Sequence, residues 1–203
     1  FYTNSSTAKV NKDFNLSLRN CDFSIRNSYY SSVINVSRAS TEIISCNFYN
    51  ISVRTLLNLT NSKLLVYKTV FSKFTVYNLI FNINNNTDVK IYSTQFIEIE
   101  TVKTAFSFQR NNSILFHKTT YYNCSAPAGM NEYDRGNILE LIGKDNILIL
   151  IDFSIISMRE TRADPHMIIA CVLIKSRGDN NQIVLNNFVM EKSIIGLINN
   201  HSS

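Results

Sequence analysis

Apolar and polar residues alternate over short runs along most of this chain, and the runs recur. "NSKLLVYKTVFSKF" (61–74), "TDVKIYSTQFIEIE" (87–100) and "NSILFHKTTYYNCS" (112–125) share one layout. Each has a polar start, two apolar residues spaced by one, a Thr, and an aromatic two places on. Period-two alternation over so few residues predicts β-strands. Aligned on the aromatic, the anchors are Phe23, Phe48, Phe71, Phe96, Tyr121, Phe153 and Phe188, at intervals of 25, 23, 25, 25, 32 and 35 residues. Five residues earlier stand Leu18, Ile43, Val66, Ile91, Phe116, Leu148 and Ile183; two earlier stand Cys21, Cys46, Thr69, Thr94 and Thr119.

The parity of these columns carries information. Side chains on a flat strand alternate between faces, so the anchor and the residue five before it point opposite ways. Both are apolar, which predicts a corner between them, at the polar residues Asn20, Ser45, Lys68, Ser93 and Lys118. A second strand in each repeat has a polar centre with apolar flanks: Asn35, Asn58, Asn82, Ser107 and Glu140. The flanks are expected to point inward and the centres out.

Short strands, corners, a regular period and no helical pattern predict an all-β protein. The expected architecture is a single-stranded parallel β-helix, a solenoid of about seven coils with a period near 24 residues. It occupies residues 1–203 as one domain, with insertions at 125–136 and 157–167. A leucine-rich repeat has a similar period, but its fixed leucine and asparagine frame is missing. The runs "NCDFSI", "SCNFYN", "KTVFSK", "STQFIE" and "IDFSII" resemble the strands of the right-handed parallel β-helix, or pectin-lyase-like, family. The likeness is one of pattern and period, spanning about 16–198. With the Asn-, Ile- and Tyr-rich composition it looks like the degenerate repeats of large protist surface proteins.

Composition narrows the function. The chain is 45% hydrophobic and 17% charged, with 5 Gly, 2 Pro and 27 Asn. Its net charge of +5 is spread along the sequence, which argues against nucleic acid and leans towards acidic glycans or anionic surfaces. No apolar run is long enough for a membrane span. The start at Phe1, without a signal-peptide layout, suggests a processed chain or a fragment. The repeat is still running at both ends, so the chain is expected to be a fragment of a longer solenoid or a subunit stacking end to end.

Family enzymes imply clustered carboxylates: Asp/Glu sets for Ca²⁺ in lyases, paired Asp in hydrolases. Here Asp22 and Asp152 precede their anchors with four coils between them, where Asn47, Val70, Gln95 and Thr120 stand. His117 shares a register with Tyr67 and Tyr92 and reads as a surface residue in an aromatic stack. No catalytic signature is present, and no enzyme activity, metal or cofactor is expected. Cys21 and Cys46, in one register of adjacent coils, read as small inward fillers beside the anchors, with a disulfide between them as the alternative. Cys124 and Cys171 occupy different registers.

Nine N-x-S/T sequons stand at Asn4, Asn15, Asn35, Asn50, Asn58, Asn85, Asn111, Asn123 and Asn200. Outward asparagines can carry glycans, whereas stacked ones can instead form an amide ladder. The insertions leave one corner of consecutive coils and are expected to lie side by side. Glu132, Asp134 and Arg135 would then face Arg159, Glu160, Arg162, Asp164 and His166 as a lateral contact patch. The resulting expectation is a non-catalytic structural or adhesive module of an extracellular, N-glycosylated surface or filament protein. Its partners would be copies of itself, neighbouring parts of a longer chain, or glycans. The alternative is a carbohydrate-active enzyme or carbohydrate-binding module of the same fold.

Overall fold

The computed structural model describes residues 8–10, 15–24, 28–101, 104–127, 137–161, 171–193 and 195–200. Among them are twenty strands and no helix. The pairings are parallel, and the strands form one sheet. Each strand pairs with those one repeat before and after it, so chain neighbours are not sheet neighbours.

Three stacks of strands result. The first joins Asn15–Arg19, Ser40–Ile44, Lys63–Tyr67 and Asp88–Tyr92 to the leading halves of Ser113–Tyr122 and Ile147–Ile156, and then to Gln182–Asn186. The second aligns Phe23, Phe48, Phe71, Phe96 and Tyr121 directly. The third aligns Asn35, Asn58, Asn82, Ser107, Glu140, Lys175 and Asn199.

Strands stacked about 4.8 Å apart bring identical side chains to ring-stacking distance. Phe23, Phe48, Phe71, Phe96 and Tyr121 accordingly form a continuous column, with centroids 4.7, 5.0, 5.0 and 5.0 Å apart and interplanar angles of 28° or less. Phe81 and Phe106 meet this column edge-on from the third stack. Beside it Cys46, Thr69, Thr94 and Thr119 are fully buried. Thr69 shows how such a hydroxyl is satisfied: it donates to the Tyr67 carbonyl at 3.1 Å and accepts from the Cys46 N–H at 3.4 Å.

The aromatic anchor misplaces the last two repeats. Tyr121 pairs with Ile155 and Ile155 with Met190; Phe153 instead stands beside Thr119, and Phe188 stacks on Phe153 at 6.2 Å. Phe116 likewise pairs with Leu150, not Leu148. An aromatic is a poor register mark because two inward positions of the repeat accept one. The corner is a better mark, since backbone geometry restricts it.

Nineteen non-glycine residues among those described have positive φ, between 49° and 60°. All fall into three columns. The first is the expected corner, Asn20, Ser45, Lys68, Ser93 and Lys118, continued by Asp152 and Asn187. The second is Asn50, Lys73, Glu98, Asn123, Ser157 and Lys192; the third is Arg38, Asn61, Asn86, Asn111, Asp145 and Asn180. Left-handed backbone costs an ordinary residue about 1–2 kcal/mol, and Asn tolerates it best after Gly. Eight of the nineteen are Asn and none is Gly. The corners account for part of the asparagine excess. They also keep the ladder intact: the N–H of Asn20, Ser45, Lys68 and Ser93 each donates to a carbonyl of the next repeat at 2.9–3.1 Å.

The connection from the third stack to the first lengthens along the molecule. Val36, Leu59, Ile83, Phe108, Leu141 and Ser176 share a register. The following inward residues are Ala39, Ser62, Thr87, Asn112, Asn146 and Asn181. Two residues separate the first two pairs, three the next two and four the last two. The inward side chain grows as the corner widens, from Ala to Ser to Thr to Asn. The Ser62 N–H donates to Thr87 Oγ1, the Thr87 N–H to Asn112 Oδ1, the Asn112 N–H to Asn146 Oδ1 and the Asn146 N–H to Asn181 Oδ1, at 3.0–3.4 Å.

Candidate functional site

The small inward residues at the narrow end of that corner leave a groove. Ala39 and Ser62 form its floor, and its volume is about 320 Å³. One wall is Asn15, Ser40, Lys63 and Asp88, the in-register leading residues of the first stack. The other is Arg38, Asn61 and Asn86, all in the left-handed corner. Asn86 Nδ2 donates to Asn61 Oδ1 at 3.1 Å, and Asp88 pairs with Lys90 at 3.3 Å. The sequence pattern did not reveal this wall, although a polar residue recurs just ahead of each first-stack strand.

The outward centres behave in two ways. Asn58 and Asn82 form the expected ladder: Asn58 Oδ1 accepts from the amides of Asn82 and Asn84, both at 3.0 Å. Asn35 aligns with them by backbone register. Ser107 and Glu140 were expected to be exposed, but they are 3% and 9% exposed, and Lys175 beside them 1%. Their strands are buried on both faces, so an outward side chain there is still removed from water. Glu140 is compensated by Arg177 Nε at 3.2 Å and by the Thr104 hydroxyl at 3.4 Å, as a buried carboxylate requires.

Of the sequon asparagines, Asn15, Asn50 and Asn111 are exposed, and Asn35, Asn58, Asn85 and Asn123 are half-buried. Asn50, Asn111 and Asn123 sit at left-handed corners, the apices of the chain path. Asn200 is placed by its backbone, paired with Ser176, and Asn4 lies outside the described residues.

Cys21 and Cys46 are neighbours, and both are free thiols in this structure. Each donates to the carbonyl two residues earlier, Arg19 at 3.1 Å and Ile44 at 3.3 Å, so they fill the small inward position. Burial raises the Cys46 pKa, outweighing the lowering by its hydrogen bond to the Cys21 backbone. Burial pushes Cys124 up to about 12.

The segments that open the two insertions pair in parallel: Ser125 with Arg159, Ala126 with Glu160 and Pro127 with Thr161. These opening residues therefore lie side by side in adjacent strands. Glu132, Asp134, Arg135, Arg162, Asp164 and His166 lie outside the described residues.

Among the described residues the carboxylates do not converge. Asp152 does not continue the column of Asp22; it occupies the corner beside Lys118, accepts from Asn187 Nδ2 at 2.7 Å and lies 3.4 Å from His117. Asp22 accepts from Asn47 at 2.8 Å, Glu42 pairs with Arg19 at 2.7 Å and Asp145 accepts from Asn180 at 3.3 Å. His117 meets Tyr92 edge-on at 5.8 Å, in register with it and with Tyr67. Among the described residues no group of His, Cys, Asp and Glu is placed to hold a metal ion, and no helix is long and apolar enough to cross a membrane.

Comparison with protein-family models, with curated proteins and with solved structures gives no match to this chain.

Proposed function

We propose that the chain is a right-handed, single-stranded parallel β-helix of about seven coils, with a period near 24 residues that lengthens in the last coils. It serves as a non-catalytic structural or adhesive module of an extracellular, N-glycosylated surface or filament protein. The observation that carries the reading is the confinement of nineteen left-handed residues to three columns. A chain that turns the same three corners at every level is a rod of repeating lateral surfaces, the form suited to spacing and adhesion.

Two further features support it. The carboxylates named above are spent on neighbours within the scaffold rather than paired with one another for acid–base chemistry. Three sequons stand at corner apices, where a glycan projects without disturbing the strands. The partners of such a rod are copies of itself or neighbouring parts of a longer chain, added by strand pairing along the stacking direction.

Glycan mapping by mass spectrometry on protein from its native source tests the reading. Occupancy at Asn50, Asn111 and Asn123 is expected. Bare asparagine at all nine sequons overturns the extracellular assignment and leaves an intracellular scaffold.

A further inference from the structure

The groove over Ala39 and Ser62 carries strong donors on both walls. In its corner wall the amide ladder runs one way: Asn86 Nδ2 donates to Asn61 Oδ1 at 3.1 Å. That leaves Asn61 Nδ2 to find an acceptor elsewhere. The next residue of the column is Arg38, and a guanidinium accepts no hydrogen bond. The ladder therefore ends donor against donor. Lys63, on the opposite wall, adds an ammonium. Among the described residues neither Arg38 nor Lys63 has a side-chain hydrogen bond or ion pair. Asp88, the one carboxylate of the lining, is engaged by Lys90.

Two cations and an amide donor around an open 320 Å³ groove lack one thing, a compact acceptor with negative charge. The geometry points to a binding site for an oxyanion, a sulfate or phosphate group held between Arg38 and Lys63 with Asn61 Nδ2 as the third donor. Arg supplies the planar fork that such groups take in a bidentate manner, and Lys the point charge. The groove runs along the stacking direction, across the levels of Arg38, Asn61 and Asn86, so it also admits the chain that carries the group. A sulfated sugar chain is the ligand class that fits, and inorganic sulfate or phosphate is the minimal form. The site does not depend on the extracellular reading, because it is defined by Arg38, Lys63 and Asn61.

The test uses substitutions that the columns already contain. Asn occupies the Arg38 corner column at four other levels, and Gln182 stands in the register of Lys63. Arg38→Asn and Lys63→Gln should therefore fold; Lys118→Asn, at the first corner where Asn20 and Asn187 also stand, is the control. Binding of inorganic sulfate, inorganic phosphate and a sulfated tetrasaccharide is measured by titration calorimetry at low ionic strength.

Arg38→Asn and Lys63→Gln are each expected to weaken tetrasaccharide binding about tenfold or more, with Lys118→Asn unchanged. The same losses for the inorganic ions alone support the oxyanion seat and assign it to free anions. The proposal is overturned if Lys118→Asn weakens binding as much as Arg38→Asn, which marks diffuse charge attraction. It is equally overturned if the wild-type chain binds none of the three probes.

Discussion

Asn146 Oδ1 accepts both the backbone N–H and the side-chain amide of Asn112, 34 residues earlier, at 3.2 and 3.0 Å. Its own amide donates to the Gln109 carbonyl at 2.9 Å and to Asn181 Oδ1 at 3.0 Å. One fully buried side chain thus closes a widened corner on both sides. Replacing it with an apolar residue of similar size strands several buried groups at once. Asn146→Leu is expected to destabilise the fold by about 2–4 kcal/mol. Hydrogen exchange should show the protection of the Asn112 amide lost before that of Phe71. Unchanged protection at Asn112 would remove the ladder from the account of this corner.

Thr41 makes the opposite case. It is buried in a register with Leu16, Leu64, Val89 and Ile114, and its hydroxyl has no hydrogen-bond partner. Thr41→Val keeps the shape and removes an unsatisfied oxygen. It should stabilise the protein by about 1 kcal/mol in chemical denaturation. A loss of stability would mean that a water reaches this position.

Gly143 sits where the corner has gained a residue. A Cβ there would lie 2.1 Å from the Gln109 carbonyl oxygen, and one at Gly178 would lie 2.1 Å from the Gly143 oxygen. The backbones are too close for any side chain, and the obstructing atoms are backbone atoms that cannot rotate away. Gly143→Ala is expected to cost about 2–4 kcal/mol. The lost stability should be concentrated in the last two repeats when read by hydrogen exchange.

The thiols set a pH limit. Burial keeps Cys124 protonated in the folded chain to about pH 12, against 9.0 for an ordinary thiol. Above the unfolded pKa the unfolded chain binds fewer protons than the folded one, so stability falls as pH rises. The contribution is fully present below about pH 9 and declines towards pH 12, by up to about 1.4 kcal/mol per pH unit. Cys124→Ser should flatten that part of the stability profile. At pH 8 in the native state, alkylation is expected at the half-buried Cys21 and suppressed at Cys46 and Cys124. Equal labelling of all three before unfolding would contradict their burial.

Much of the strand alignment was legible because parallel stacking repeats a chemical choice at every level. Leu18, Ile43, Val66, Ile91 and Phe116 fill one inward column, and the residues three places on, from Cys21 to Thr119, another. The first corner was legible because two apolar sets of opposite parity cannot share a flat strand. The second and third corners were not: the second mixes Asn with Lys73, Glu98 and Ser157, and the third, Asn at four levels and Asp at a fifth, is broken by Arg38. What they share is a backbone angle, and the sequence does not record one.

Period-two patterning and its recurrence by themselves determined that this chain forms β-strands, that they stack in parallel with like residues aligned, and which side chains fill the inward columns on either side of the first corner in the first five repeats. Tertiary structure decided the rest. It moved Phe153 into the register of Thr119, buried Glu140 and Lys175 on a face whose polarity suggested exposure, and brought Arg38 and Lys63 to the two walls of one groove. The physical reason is the same in each case. Alternation specifies which face of its own strand a residue occupies, whereas register across a corner and the covering of an outer face depend on backbone angles and connection lengths. Those are fixed only when the levels are stacked.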